Sequence, residues 1–225
     1  MPVPQAIIER NLAGLRQRIA AASQRAGRSA GAIRLVAVTK SVGAEEVQAL
    51  LELGVTDFGE SRPLQAREKL ERFRQMASWH MIGTVQRRKC PEIVRWFDCV
   101  DAVDRIEVAE ALHQRCEESG RGVPLPILIE VNVSGEASKH GFAPDQLPAV
   151  LDRLRSLSSL QTAGLMTMAP FSDRPEDSRP FFARLRELAD AHRLAEVSMG
   201  MSGDFEVAIE EGATQVRIGS ALFKS

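Results

Sequence analysis

Short runs of apolar and β-branched residues recur along the chain, and between them lie segments whose apolar positions repeat at helical spacing. The runs predict strands at 33–39, 55–59, 79–83, 98–103, 127–133, 161–166, 196–199 and 214–218. Val47, Leu50 and Leu51 stand at i, i+3 and i+4, and Leu147, Val150, Leu151 and Leu154 extend the same stripe by a turn. A further helical pattern, QAIIERNLAGLRQRIAAASQRAG, precedes the first strand. Eight strands alternating with helices predict an α/β fold, a (β/α)8 TIM-type barrel with an extra N-terminal helix. A doubly wound sheet would begin with a similar pattern. Asp104 and Ser202 are expected as helix N-caps, and Pro144 suits a first helical turn. The polar stretch APFSDRPEDSR is too short for a linker, so residues 1–225 read as one domain.

Composition narrows this picture. The chain has 225 residues, 44% of them hydrophobic and 26% charged, which suits one barrel with a full core. A net charge of −1 provides no general basic field for nucleic acid. No apolar run approaches the ~20 residues of a membrane span, and the N-terminus lacks the pattern of a signal peptide. The three cysteines show no CxxC spacing, which argues against a disulfide framework and a cysteine zinc site. The four histidines have no HExxH-like spacing, so no metal is indicated. A cytoplasmic location is expected.

Candidate chemistry lies at the C-terminal ends of the strands, where barrels carry their functional groups. The first strand, RLVAVTK, ends on Lys40. The loops after the last two strands, GMSGD and RIGSA, each combine glycines with a hydroxyl, Ser202 and Ser220. Such loops suit a phosphate, and the amine nearby suits an aldehyde, so the sector is matched to an aldehyde phosphate. A lysine partly desolvated at the barrel mouth would have a lowered pKa and act as a nucleophile. Glu60 is either a general base near Lys40 or a balancing charge. His80 reads as an interior residue and His140 as one without a carboxylate partner. Asp204 and Glu206 suit the start of a helix.

The segments AVTK, FGE, WHMIG, VNVSGEASKHG, GLM, GMSGDFEVAI and VRIGSALF, in this order, resemble the pyridoxal phosphate homeostasis proteins. These are relatives of the alanine racemase N-terminal barrel, of pyridoxal-phosphate fold-type III. The resemblance implies pyridoxal 5'-phosphate as cofactor, with Lys40 as the Schiff-base lysine. It implies that Ser202, Gly219 and Ser220 hold the phosphate, that Arg217 faces the pyridine nitrogen, and that Val38, Asn132 and Met166 line the ring pocket. Lys139 would approach from the fifth strand's loop. An arginine cannot accept a proton from the ring, so it favours the neutral pyridine, a weaker electron sink.

The implied function is a monomeric carrier that buffers the cofactor in vitamin B6 homeostasis and passes it to apo-enzymes, without nucleic acid or membrane partners. The alternative is a weak amino-acid racemase, but the resembled racemases use a tyrosine from a second domain, and this chain contains no tyrosine. An aldolase barrel using Lys40 is a third reading; there the lysine usually sits on a later strand. Ser61, Pro63 and Arg88 depart from the family pattern.

Overall fold

A computed structural model describes residues 2–224. Eight parallel strands pair in chain order and close on themselves. They are β1 (Arg34–Val38), β2 (Asp57–Glu60), β3 (Ser78–Met81) and β4 (Cys99–Val103), followed by β5 (Leu125–Glu130), β6 (Leu160–Met166), β7 (Glu196–Ser198) and β8 (Gln215–Ile218). The helices are α1 (Gln5–Arg25), α2 (Ala44–Glu52), α3 (Pro63–Phe73), α4 (Cys90–Trp96) and α5 (Ile106–Ser119) in the first part. Then come α6 (Leu147–Arg155), α7 (Arg179–Ala191), α8 (Phe205–Glu210) and α9 (Ser220–Phe223). The expected TIM-type barrel is therefore present, and the register Arg34↔Gln215 through Ala37↔Ile218 closes it.

The extra helix has a structural purpose. Ile8, Leu12, Leu15, Ile19 and Ala22 form one buried stripe along α1, which packs on α2, α8 and α9 where the barrel closes. The main core lies between the sheet and the helices, with Phe58 and Trp79 in contact at a centroid distance of 5.3 Å. Gly164 permits a close approach of β6 to β7, because a Cβ there would lie 1.9 Å from the Glu196 carbonyl oxygen.

The barrel interior departs from the usual packing of branched apolar side chains. Ala102, Leu128 and Met166, with Ala163 beside them, form a small apolar cluster separate from the main core. The buried polar residues His80, Asp101, Ser198, Gln215 and Arg217 hydrogen-bond to one another in a chain. Buried polar groups persist when they are paired, and these are.

Several boundaries differ from expectation. β5 starts earlier and stops at Glu130, since Val131 bridges to Phe142 and the Asn132 N–H donates to the Phe142 carbonyl at 2.9 Å. Asp104 is not the cap of α5: its carboxylate accepts two hydrogen bonds from Arg105, the residue in the cap position. Ser202 is not the cap of α8 either, a position held by Asp204, whose Oδ1 accepts from the Met201 N–H at 2.7 Å. Pro144 opens a single 3-10 turn ahead of α6. Among the described residues no helix is long and apolar enough to cross a membrane.

Candidate functional site

The strands β5, β6, β7, β8 and β1 are consecutive neighbours in the closed sheet. Every residue expected at the site lies at the C-terminal end of one of these five or in the loop that follows it. The topology therefore gathers Lys40, Ser202, Arg217, Gly219 and Ser220 on adjoining strands β7, β8 and β1, with Met166 and Asn132 continuing the arc.

Lys40 follows β1 by two residues and is exposed, not partly desolvated as expected. Its ammonium has no ion-pair partner among the described residues. The loop that carries it is held from below. Lys69 on α3 donates to the carbonyls of Thr39 and Val42 at 2.8 and 3.0 Å and to Glu60 Oε1 at 2.5 Å, and the Thr39 hydroxyl donates to the same oxygen at 2.7 Å. Glu60 is thus a balancing charge for buried Lys69, not a base beside Lys40. Lys69 escaped sequence reasoning, although it shares a helix face with buried Ala66, Leu70 and Phe73.

The two glycine-bearing loops meet. The Ser202 hydroxyl accepts from the Ala221 N–H at 3.3 Å, linking the loop after β7 to the start of α9. Gly200 turns the chain with φ 90°, and a Cβ there would lie 2.5 Å from that of Ala208. Gly219 lies against Val38: a Cβ at this position would come within 3.3 Å of the Val38 Cβ. A side chain at Gly219 would thus crowd Val38, and glycine lets the two strand ends lie close together.

Arg217 forms the floor and is 5% exposed. Its Nη1 donates to the Ser198 hydroxyl at 2.5 Å and its Nη2 to the Thr167 carbonyl at 2.9 Å. A guanidinium has five N–H donors, so among the described residues these two bonds leave donors over. Burial pushes its pKa down from the ordinary value, against the opposing charges of Asp101, Glu130 and Asp204.

Met166 is buried in the interior cluster at the end of β6. Asn132 is committed to its own loop: its Oδ1 accepts from Gly135 N–H at 3.0 Å and its amide donates to the Glu136 carbonyl at 2.9 Å. The side chain shapes the rim instead of projecting free donors into it. Lys139 pairs with Glu136 at 2.8 Å and donates to the Met168 carbonyl at 3.1 Å. His140 does face a carboxylate, contrary to expectation, at 3.5 Å from Asp104. Ser61 and Arg88 lie outside this arc, on the loops after β2 and β3, and Pro63 opens α3.

Glu130 was also overlooked. It ends the apolar run LPILIE as Lys40 ends RLVAVTK, which is the signal that could have found it. It is 4% exposed, and burial followed by the like charge of Asp104 raises its pKa above the usual carboxyl range, against His140 and Arg217. The arrangement as a whole fits an aldehyde phosphate: an amine unpaired among the described residues, a glycine and hydroxyl cradle, and a cationic floor with spare donors.

Comparison with known proteins agrees. The family model for the alanine racemase N-terminal domain matches residues 11–225. A pyridoxal phosphate homeostasis protein of Pseudomonas aeruginosa is 40% identical over 220 residues, covering 96% of this chain and 94% of that one. A crystal structure of an unknown protein from Bifidobacterium adolescentis superposes with a TM-score of 0.90 at 32% identity, over 99% of this chain and 98% of that one. PipY of Synechococcus elongatus, solved with PLP bound, gives a TM-score of 0.81 at 30% identity, over 96% and 99% of the two chains.

Proposed function

The chain belongs to the pyridoxal phosphate homeostasis proteins, within the alanine racemase N-terminal domain family, and we propose that it binds, buffers and hands on pyridoxal 5'-phosphate. The observation that carries this reading is the juxtaposition at β7, β8 and β1: an exposed Lys40, unpaired among the described residues, beside the joined Ser202 and Gly219 loops and the buried Arg217.

When bound, the cofactor supplies an aldehyde that condenses with an amine, and a dianionic phosphate. Lys40 would provide the amine. The Ser202 hydroxyl and the N–H groups of Gly219 and Ser220 would hold the phosphate. Donors of Arg217 would face the ring nitrogen and disfavour its protonation. Val38 and Met166 would give the ring apolar neighbours, and Asn132 braces the loop after β5 through Gly135 and Glu136.

The same features disfavour turnover. Racemisation needs acid–base groups on both faces of the substrate carbon, and no tyrosine exists to supply the second. Arginine at the ring nitrogen weakens the cofactor as an electron sink. The reading is thus of a cytoplasmic, monomeric carrier whose partners are apo-enzymes that need the cofactor.

The test is direct. Protein incubated with pyridoxal phosphate should gain a visible band that borohydride bleaches, leaving the pyridoxyl group on the Lys40 peptide. Lys40→Ala should lose both signals. Loaded wild type should restore activity to an apo-enzyme. Modification at another lysine would refute the anchor, and turnover of an amino acid at ~1 s⁻¹ or more would restore the racemase reading.

A further inference from the structure

The opposite end of the barrel holds a second constellation. His80 on β3 and Cys99 on β4 are register partners, and Asp101 follows two residues later. A ring nitrogen of His80, the Cys99 sulfur and an Asp101 carboxylate oxygen all lie within 4.8 Å of one another. Ligand atoms around a tetrahedral zinc stand roughly 3–4 Å apart, given its bond lengths. From this convergence we propose that His80, Cys99 and Asp101 bind a divalent transition metal of the zinc class, with water as fourth ligand.

Two further observations suit a metal site. First, outer partners already orient the ligands. His80 Nδ1 faces Asp101 Oδ1 at 3.1 Å, while its Nε2 faces Asp57 Oδ1 at 3.4 Å. Asp57 thereby stands where a carboxylate would take the proton-bearing nitrogen of a ligating histidine and leave Nδ1 for the metal. Gln215 holds the other Asp101 oxygen, Oδ2.

Second, there is an entry path: a cavity of about 400 Å³ at the N-terminal mouth, lined by Arg34, Asp57, His80, Cys99, Glu196 and Gln215 among others. Its polar walls and size accommodate water. Metal binding would exchange ligand protons for the dication, and those protons would leave to buffer.

Chain spacing hides such a site because its ligands come from adjacent strands. It lies apart from the pyridoxal-phosphate mouth, and its success or failure is independent of that reading.

The test uses the full chain, freed of cofactor and metal, titrated with Co2+. The expected result is one ion per chain, with the intense visible bands of four-coordinate Co2+ and a thiolate charge-transfer band. Zn2+ should displace it, and binding of either ion to the metal-free protein should release protons. Cys99→Ser should lose the charge-transfer band, whereas Cys90→Ser and Cys116→Ser keep it. Asp57→Asn should weaken binding by ~10–100-fold, the usual effect of losing such an outer partner. Absence of Co2+ bands in wild type, a charge-transfer band that survives Cys99→Ser, or unchanged affinity in Asp57→Asn would overturn the proposal.

Discussion

The two ends of this barrel treat their charged groups in opposite ways. At the N-terminal end, Asp57, His80, Asp101 and Gln215 interlock, with Arg34 within 3.6 Å of both Asp57 and Glu196. At the C-terminal mouth Lys40 stands exposed and unpaired among the described residues, while Glu60, at the end of the neighbouring strand β2, belongs to Lys69. Neutralising Glu60 from below leaves the amine at the tip with no competing counter-ion. The paired Lys69 and Glu60 thus specify the frame beneath the mouth, and the amine left over above them is available to a ligand.

The sharpest way to break this division is to cut a frame pair. Lys69→Ala strands the Glu60 carboxylate in a site that is 2% exposed, a change that typically costs ~3–5 kcal/mol. In a domain of this size each kcal/mol moves the midpoint by ~2–4 °C, so thermal unfolding should fall by roughly 10 °C. The Thr39 and Val42 carbonyls lose their donor as well, so retention of pyridoxal phosphate should drop although Lys40 is intact. Replacing both partners, Glu60→Leu with Lys69→Met, should recover much of the stability. Lys40→Ala should do the reverse, abolishing covalent capture while changing stability by no more than ~0.5 kcal/mol, as exposed positions usually do. A large stability loss in Lys40→Ala would blur the distinction between frame and mouth.

A smaller effect is expected at Ser202. Its hydroxyl accepts one long, part-buried bond of 3.3 Å from Ala221 in the free protein. Against a bound phosphate the same hydroxyl would make a charge-assisted bond of ~1.5–3 kcal/mol. Ser202→Ala should therefore weaken pyridoxal phosphate about tenfold or more and barely affect unphosphorylated pyridoxal. Equal losses for both ligands would remove Ser202 from the phosphate cradle.

What the sequence made legible follows the same division. All eight strands could be read because each outer face is a run of apolar residues against the helices, a signal local to the chain. The mouth was legible too, since residues just past a strand end are placed by the fold class itself. The interior was not. The pairing of Lys69 with Glu60 spans a strand-to-helix connection, and that of Gln215 with Asp101 joins residues more than a hundred positions apart. The second pair converges only once the sheet closes. The desolvation expected at Lys40 failed for a related reason: strand-tip position fixes where the residue lies on the rim, whereas its exposure depends on how far neighbouring loops rise around it.

Glu130 offers the smallest and most discriminating test, because it belongs to neither group. It is buried like the frame, yet among the described residues its carboxylate accepts no side-chain hydrogen bond. Burial, then Asp104, raise its folded-state pKa above the ordinary carboxyl value of ~4.3. The sign then follows: its contribution to stability is fully present below the unfolded pKa and is lost as pH rises through the raised folded value. At neutral pH the ionised group is thus a cost, which the attraction of Arg217 only partly offsets. Glu130→Gln keeps the shape and removes the charge, so it should stabilise the protein at pH ~7 by about 0.5–1 kcal/mol, the low end of single stabilising substitutions. The advantage should shrink as the pH falls towards ~4, where wild type is itself protonated. Urea unfolding of the two proteins across this range measures the gap. If Glu130→Gln were instead less stable at pH ~7, with a deficit that grew as pH rose, Glu130 would be acting as the counter-ion of Arg217 and would belong to the frame.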